Sequence, residues 1–268
     1  MKRLYVSDLD GTLLNRNAEL SEVTIRVVNQ AIEPTTALKI VEPLNLKLPV
    51  MLMNGVLVYD MMSRQYIRKE VIAEETVMVL LGLIKTRELN CFLYGLTGDT
   101  FCAYYDSVES VSLNYFRNER IMKYDKKFTE VPDLSLVAGK DIIYCMLRET
   151  KEKLEGFYRE LSVVKGIKTE FYKDIYSDDY YMLEIYSDKA SKKEALNYLR
   201  DQAHYDSVIS FGDNLNDVAL WEASDCFYAV ANAHPEIQNM AHSVLPSNEE
   251  NGVAVYIEQM MKQTGEME

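Results

Sequence analysis

The amino-terminal part of the chain shows the hydrophobic pattern of a buried strand followed by that of a helix. The apolar stretch 3–7, RLYVS, predicts a short buried strand that a turn at Gly11 closes. In 21–32, SEVTIRVVNQAI, apolar residues recur at helical spacing, and Ser21 stands where an N-cap is expected. A second short helix is expected over 37–46, ALKIVEPLNL, with a proline that stops it.

The pattern changes in the middle of the chain. The apolar stretch 49–60, PVMLMNGVLVYD, predicts a strand that Asn54-Gly55 interrupts, as at a junction between domains. Between residues 60 and 184, tyrosine-rich strand-like pieces alternate with helical ones. We interpret this part as an α+β module inserted into a parallel α/β domain, because strand and helix alternate again from 191 to the closing helix at 252–263.

Composition and net charge narrow the possible partners. The chain has 268 residues, 48% hydrophobic and 26% charged, as in globular proteins of one large or two smaller domains. Its net charge of −13 repels phosphate backbones, so no nucleic acid partner is expected. A small phosphorylated ligand is compatible with this charge if a local cation offsets it. The sequence leaves the oligomeric state open.

Cysteine usage and the amino terminus predict a cytoplasmic protein. The four cysteines lie far apart and form no C-x-x-C pair, which is typical of reduced thiols. The segment MKRLYVSDLD lacks the long apolar stretch of a signal peptide. No apolar run approaches the length of a membrane span, about 18–20 residues, so no membrane partner is expected.

Acidic residues follow two of the predicted strands. Asp8 and Asp10 come directly after the first strand, and Asp213 and Asp217 follow the strand of SVISFGDNLND. Ligands of an open parallel sheet bind beyond the carboxyl ends of its strands, so these four side chains are expected in one small volume. Clustered carboxylates repel each other unless a cation lies among them, and hard oxygen ligands favour Mg²⁺. The pattern therefore predicts a magnesium site.

The spacing of Asp8 and Asp10 also suggests a reaction. Side chains two residues apart in an extended segment point the same way. A carboxylate nucleophile can form an aspartyl-phosphate, and an adjacent acid can protonate the leaving oxygen and then activate water. Gly11 permits the tight turn that follows, and Thr12 can cap it.

Several segments resemble the motifs of one family. DLDGTLL at 8–14 is similar to the first motif of the haloacid dehalogenase (HAD) superfamily of phosphotransferases, and FGDNLNDVAL at 211–220 resembles its fourth. SDKASKKEAL at 187–196 resembles the third motif. The segments 53–60 and 229–254 resemble the hinge and the carboxy-terminal signature of the Cof-type phosphatase branch.

The resemblance implies a fold and a metal site. The fold would be α/β, with a Rossmann-like parallel sheet core (HAD-like) of residues 1–58 and 186–268 and an inserted α+β cap domain over 59–185. Asp8 would be the nucleophile and a magnesium ligand. Asp10 would be the general acid and base and would bind the metal through its backbone carbonyl. Asp213 would be the third protein ligand, with Asp217 near the ion or bound to it through water.

The resemblance also implies a phosphate-binding set. Lys192 and Asn216 would hold the phosphate, together with the backbone N–H of Leu9. Many relatives have glycine after the motif lysine where this chain has Lys193, so either lysine could face the site. The register with Ser191 favours Lys192.

The function implied is that of a magnesium-dependent phosphatase working through an aspartyl-phosphate on Asp8. Its substrate would be a small phosphorylated metabolite, such as a sugar phosphate or a phosphorylated cofactor. A phosphomutase would use the same nucleophile, and the sequence does not separate the two.

One departure from the family lies between Glu33 and Pro34. The second motif, a strand that ends in Ser or Thr, is absent there: the first helix runs directly into a segment like the one that normally follows this motif. Either residues are missing from the sequence at this point, which we favour, or the protein lacks the strand. A true deletion supports the alternative of a catalytically impaired relative that binds phosphate or a protein.

Overall fold

The structure, a computed structural model, divides into two compact units. It describes residues 2–31, 44, 46–98, 100–107, 109–124, 126–174, 177 and 179–264. The first unit combines Met1–Arg68 with Ser191–Glu268, and the second is Lys69–Ala190. The sequence predicted domain boundaries after residues 58 and 185. In the structure the boundaries follow Arg68 and Ala190, ten and five residues later.

The first unit is built from both ends of the chain. Its strands are β1 (Arg3–Ser7), β2 (Val50–Leu52), β3 (Leu57–Asp60), β4 (Gln65–Lys69), β11 (Ser207–Gly212), β12 (Cys226–Val230) and β13 (Ser243–Leu245). Its helices are α1 (Glu22–Ala31), α5 (Lys192–Ala203), α6 (Val218–Ala223), α7 (Pro235–Met240) and α8 (Gly252–Thr264).

A four-stranded parallel sheet positions the acidic residues. Its strand order is β1-β11-β12-β13, with Ser7 opposite Phe211 in the pairing of the first two strands. The Asp8 N–H continues this pairing by donating to the Phe211 carbonyl at 3.0 Å. The carboxyl ends of β1 and β11 therefore lie side by side, and the predicted α/β class with a parallel sheet core is confirmed.

Apolar side chains from the strands and helices form the core of this unit. Val6 and Phe211 on neighbouring strands, Val27 of α1 and Ala254 of α8 belong to one buried cluster. The predicted N-cap of α1 is also confirmed, because the Ser21 Oγ accepts a hydrogen bond from the Thr24 N–H at 3.0 Å. The strands and helices predicted at the two ends of the chain thus contribute to one shared hydrophobic core.

A second, smaller sheet of the first unit has the order β2-β3-β4. β2 and β3 pair antiparallel, and a short 3₁₀ turn, Met53–Gly55, joins them. The predicted interruption of the strand at Asn54-Gly55 is therefore confirmed. The hinge role that the resemblance gives to this segment stays a prediction.

The second unit is an α+β module, as predicted. Its strands are β5 (Phe92–Thr97), β6 (Thr100–Tyr105), β7 (Phe128–Glu130), β8 (Asp141–Thr150), β9 (Ile167–Lys173) and β10 (Tyr180–Ser187); its helices are α2 (Glu74–Thr86), α3 (Val111–Tyr124) and α4 (Lys151–Leu161). The six strands form one largely antiparallel sheet of order β7-β6-β5-β8-β10-β9. Leu80 of α2 and Phe157 of α4 share a buried core with Leu183 of this sheet.

Two expectations concern residues near the missing motif. The junction between Glu33 and Pro34, and most of the helix expected over 37–46, lie outside the described residues. Among the residues that are described, β1 is an edge strand of the parallel sheet. In this described part of the chain, no helix combines the length and the apolar character needed to cross a membrane.

Candidate active site

Three of the predicted acids converge beyond the carboxyl ends of β1 and β11. Asp8, Asp213 and Asp217 each place one carboxylate oxygen so that all three lie within 4.8 Å of one another. Asp10 lies two residues after Asp8, exposed on the turn, and its side chain is not part of this group of three. Three of the four acids that were expected in one small volume thus lie together, with Asp8 more than 200 positions from the other two in the sequence.

The electrostatics of this cluster favour a bound cation. Burial, together with the nearby Asp217 and Asp10, raises the pKa of Asp8 to about 6, although Lys192 lowers it. Burial likewise raises the pKa of Asp213 to about 7, against a hydrogen bond from Thr12 that lowers it. Both shifts show that negative charge is poorly solvated here. A set of hard carboxylate oxygens of this kind suits Mg²⁺.

Lys192 is the cation that the sequence required near the acids. It is the first residue of α5, and its Nζ donates to Asp8 Oδ1 and to Asp217 Oδ1, both at 2.6 Å. Burial alone would lower the pKa of Lys192, but the two carboxylates outweigh burial and raise it above its usual range. Lys193 instead pairs with Glu222 on the surface at 2.9 Å. The geometry therefore selects Lys192 over Lys193 as the lysine that reaches the site.

Asp217 holds the loop after β11 together. It is fully buried, and its Oδ2 accepts hydrogen bonds from the N–H groups of Asp213 and Asn214 at 2.9 and 3.1 Å. Its Oδ1 accepts from Lys192. These contacts fix the positions of Asp213 and Lys192. The sequence predicted Asp217 only as a residue near the metal ion and did not indicate this structural role. Its predicted place near the ion stays a prediction.

The turn after β1 is connected directly to the second strand of the site. Thr12 is buried, and its Oγ1 donates to Asp213 Oδ1 at 2.6 Å, so its hydroxyl contacts a candidate metal ligand, while its capping of the turn stays a prediction. Gly11 has a φ of +80°, and its carbonyl accepts from Asn232 Nδ2 at 2.7 Å. A Cβ added at Gly11 would lie 2.5 Å from Asp213 Oδ2.

Gly11→Ala is expected to lower the catalytic rate by about a hundredfold, because the new methyl group displaces the carboxylate of Asp213, a candidate metal ligand. The left-handed φ adds strain for any residue with a side chain. Steady-state hydrolysis of a phosphate ester at increasing Mg²⁺ measures the effect. Gly82→Ala is the matched control, because a Cβ there meets nothing within 4 Å and should leave activity unchanged.

The two remaining predicted residues, Leu9 and Asn216, directly neighbour Asp8 and Asp217 in the sequence. The Leu9 carbonyl accepts hydrogen bonds from the N–H groups of Leu13 and Leu14 at 3.0 and 2.9 Å, which closes the turn that carries Asp10. Asn216 lies in the 3₁₀ turn Leu215–Asp217, exposed, and its Nδ2 donates to Asn54 Oδ1 at 3.3 Å. The contact with Asn54 was not expected from the sequence. The phosphate-binding roles of Leu9, Lys192 and Asn216 stay predictions.

The family comparison agrees with this geometry. A family model described as haloacid dehalogenase-like hydrolase matches residues 5–257. This chain belongs to the haloacid dehalogenase-like hydrolase family. The predicted superfamily, its Cof-type branch and the predicted class of enzyme, a HAD-type phosphatase, are confirmed.

Known relatives and solved structures are similar to this HAD-family protein over nearly its whole length. It is 27% identical to Phosphatase YwpJ of Bacillus subtilis, over 94% of this chain and 97% of that protein. It is 20% identical to 5-amino-6-(5-phospho-D-ribitylamino)uracil phosphatase YitU of the same organism, over 96% of each. A haloacid dehalogenase-like hydrolase from Bacteroides thetaiotaomicron has a similar structure, with a TM-score of 0.80 at 20% identity, over 97% of this chain and 100% of the other.

Proposed function

We propose that this protein is a magnesium-dependent phosphatase of small phosphorylated metabolites, working through an aspartyl-phosphate on Asp8. The observation that carries the proposal is the place of the Asp8 carboxylate. It lies within 4.8 Å of two further carboxylates and is held by the Lys192 ammonium. A carboxylate alone is a weak nucleophile toward a phosphate dianion because both are negative, and a neighbouring cation removes part of this repulsion.

The residues that would hold Mg²⁺ are Asp8 and Asp213 through their carboxylates and Asp10 through its backbone carbonyl, with Asp217 close by. When bound, the ion neutralises charge on the phosphoryl oxygens. The raised pKa values of Asp8 and Asp213 support this assignment, because they mark a cluster that lacks favourable solvation of its charge.

The proposed reaction has two steps at the phosphorus atom. In the first, one Asp8 oxygen forms a bond to phosphorus, the ester P–O bond breaks, and the Asp10 carboxyl gives its proton to the leaving oxygen. In the second, the Asp10 carboxylate takes a proton from water, the water oxygen attacks phosphorus, and inorganic phosphate leaves Asp8. The exposed position of Asp10 supports this role, since its carboxyl has access to water.

The phosphoryl group would be held by the Lys192 ammonium, the Asn216 amide and the Leu9 N–H. Lys192 also offsets locally the net charge of −13. The substrate class, sugar phosphates or phosphorylated cofactors, is supported by the name of YitU, a phosphatase of a phosphorylated ribitylamino-uracil.

A panel of phosphate esters with and without Mg²⁺ tests the proposed function. We expect hydrolysis of sugar phosphates or phosphorylated cofactors with Mg²⁺, and its loss on chelation with EDTA and recovery on adding the ion back. No hydrolysis across the panel would favour the alternative function, that of a catalytically impaired relative that binds phosphate or a protein. Two observations motivate this alternative: the second motif is absent from the sequence, and β1 is an edge strand among the described residues. A requirement for a bisphosphate activator would indicate a phosphomutase.

A further inference from the structure

The turn between β2 and β3 has an unusual backbone. Met53, Asn54 and Gly55 are three consecutive residues in the left-handed region, with φ values of 51°, 56° and 86°. Glycine adopts this conformation readily and asparagine tolerates it, whereas it is unfavourable for methionine. Unfavourable backbone conformations that persist in a folded protein are concentrated at functional sites. The turn therefore calls for a role beyond connecting two strands.

This turn contacts two of the residues expected to hold the phosphate. A Cβ added at Gly55 would lie 2.2 Å from the Ser191 carbonyl oxygen and 2.8 Å from the Lys192 nitrogen, so the backbone of the turn lies directly against the start of α5. On its other side, Asn54 Oδ1 accepts the hydrogen bond from Asn216 Nδ2 at 3.3 Å. One strained turn thus connects the third and fourth motifs.

We propose that Asn54 is a positioning residue that orients the Asn216 amide for a phosphoryl oxygen. The inference rests on the proposed function, in which Asn216 holds the phosphate. An amide nitrogen carries two hydrogens, so one can bond to Asn54 while the other serves the substrate. Asn216 is exposed, and an exposed side chain loses rotational freedom when it binds. Because the hydrogen bond to Asn54 already restricts the Asn216 side chain, Asn216 loses less rotational freedom when the phosphoryl group binds.

The left-handed conformation of Asn54 allows a clean substitution. Asn54→Gly removes the acceptor oxygen, and glycine keeps the backbone conformation of the turn without strain. Asn251 provides the matched control: it is also an asparagine of the first unit, with a φ of 59° close to the 56° of Asn54. Asn251→Gly therefore reproduces the change of residue type and backbone freedom at a position outside the site.

The experiment measures kcat, KM and the inhibition constant of inorganic phosphate for the wild type, Asn54→Gly, Asn216→Ala, the double variant and Asn251→Gly. We expect Asn54→Gly to raise KM and the phosphate inhibition constant about tenfold, because an Asn216 amide that is no longer oriented loses its hydrogen bond to the charged phosphoryl group. The effect on kcat should be smaller, because the phosphoryl group is held before and during the reaction. The double variant should match Asn216→Ala alone, and Asn251→Gly should match the wild type.

Several results would overturn the inference. An unchanged phosphate inhibition constant in Asn54→Gly, or losses that multiply in the double variant, would show that Asn54 does not act through Asn216. Either result in an enzyme that hydrolyses phosphate esters leaves the proposed function standing. A wild-type protein that hydrolyses no ester and is not affected by phosphate contradicts both.

Discussion

Asp8→Asn is expected to abolish phosphate-ester hydrolysis, with a loss on the order of 10⁴–10⁶-fold in kcat. The asparagine amide occupies nearly the same space but has no carboxylate oxygen to bond to phosphorus, so the covalent route is closed. Its uncharged side chain is also a poorer ligand for a hard cation than the carboxylate. Turnover of a generic aryl phosphate at saturating Mg²⁺ is the measurement.

The control for Asp8→Asn is Asp201→Asn, an identical change at an exposed position of α5. This variant should retain wild-type kcat and KM. Thermal unfolding of both variants should remain cooperative, which separates loss of chemistry from loss of fold. Full activity in Asp8→Asn would remove the aspartyl-phosphate from the account.

Lys192→Met is expected to destabilise the fold by about 3 kcal/mol and to abolish activity. Its Nζ is the charged partner of Asp217, whose side chain is fully buried, and removing one partner of a buried pair leaves an uncompensated charge. Asp8 loses the same ammonium group and with it the charge that favours approach of a phosphate dianion. Urea unfolding gives the stability change, and phosphate-ester turnover gives the activity.

The neighbouring lysine is the control for this prediction. The Lys193 side chain is 40% exposed, against 11% for Lys192, and it pairs with the exposed Glu222. Lys193→Met should therefore cost about 0–1 kcal/mol and leave turnover intact. Adding Asp217→Asn to Lys192→Met should recover part of the stability, because the buried charge is gone, without recovering activity. Equal effects of the two lysine substitutions would contradict the site as described.

The position of the acidic residues could be predicted from local hydrophobic patterns and one rule of sheet topology. The apolar stretch before Asp8 and the one before Asp213 each mark a strand. The rule that ligands bind at the carboxyl ends of parallel strands then brings the two acids together. The order of the motifs along the chain assigned Lys192 to the site. The structure agrees with this assignment, because Ser191 caps α5 and Lys192 is its first residue.

The contacts that were not predicted join residues far apart in the sequence. Thr12 and Asp213 are 201 positions apart, and Asn54 and Asn216 are 162 positions apart. A local pattern contains no information about which polar groups meet across a sheet edge or a turn. These contacts depend on backbone geometry, such as the left-handed turn at Asn54, which the sequence indicates only as an Asn-Gly pair.

Helix α3 and strands β4 and β7 were not predicted from the sequence, and β7 is only three residues long. Helix α3 has exposed apolar residues at Val111, Tyr115 and Met122, which blur the division into a polar and an apolar face on which helix prediction depends. Strand β4 is short and has no fully buried residue, so its hydrophobic alternation is weak. Missing β4 also explains why the first expected boundary, after residue 58, precedes the end of the first segment at Arg68.

A crystal structure with Mn²⁺ and beryllium fluoride, a mimic of the phosphoryl group, tests the central claim most directly. Anomalous scattering locates the metal, and the density shows which carboxylate carries the adduct. We predict one Mn²⁺ bound by both Asp8 and Asp213, with beryllium bonded to an oxygen of Asp8. A metal ion bound away from Asp213, or an adduct on any other side chain, would contradict the account.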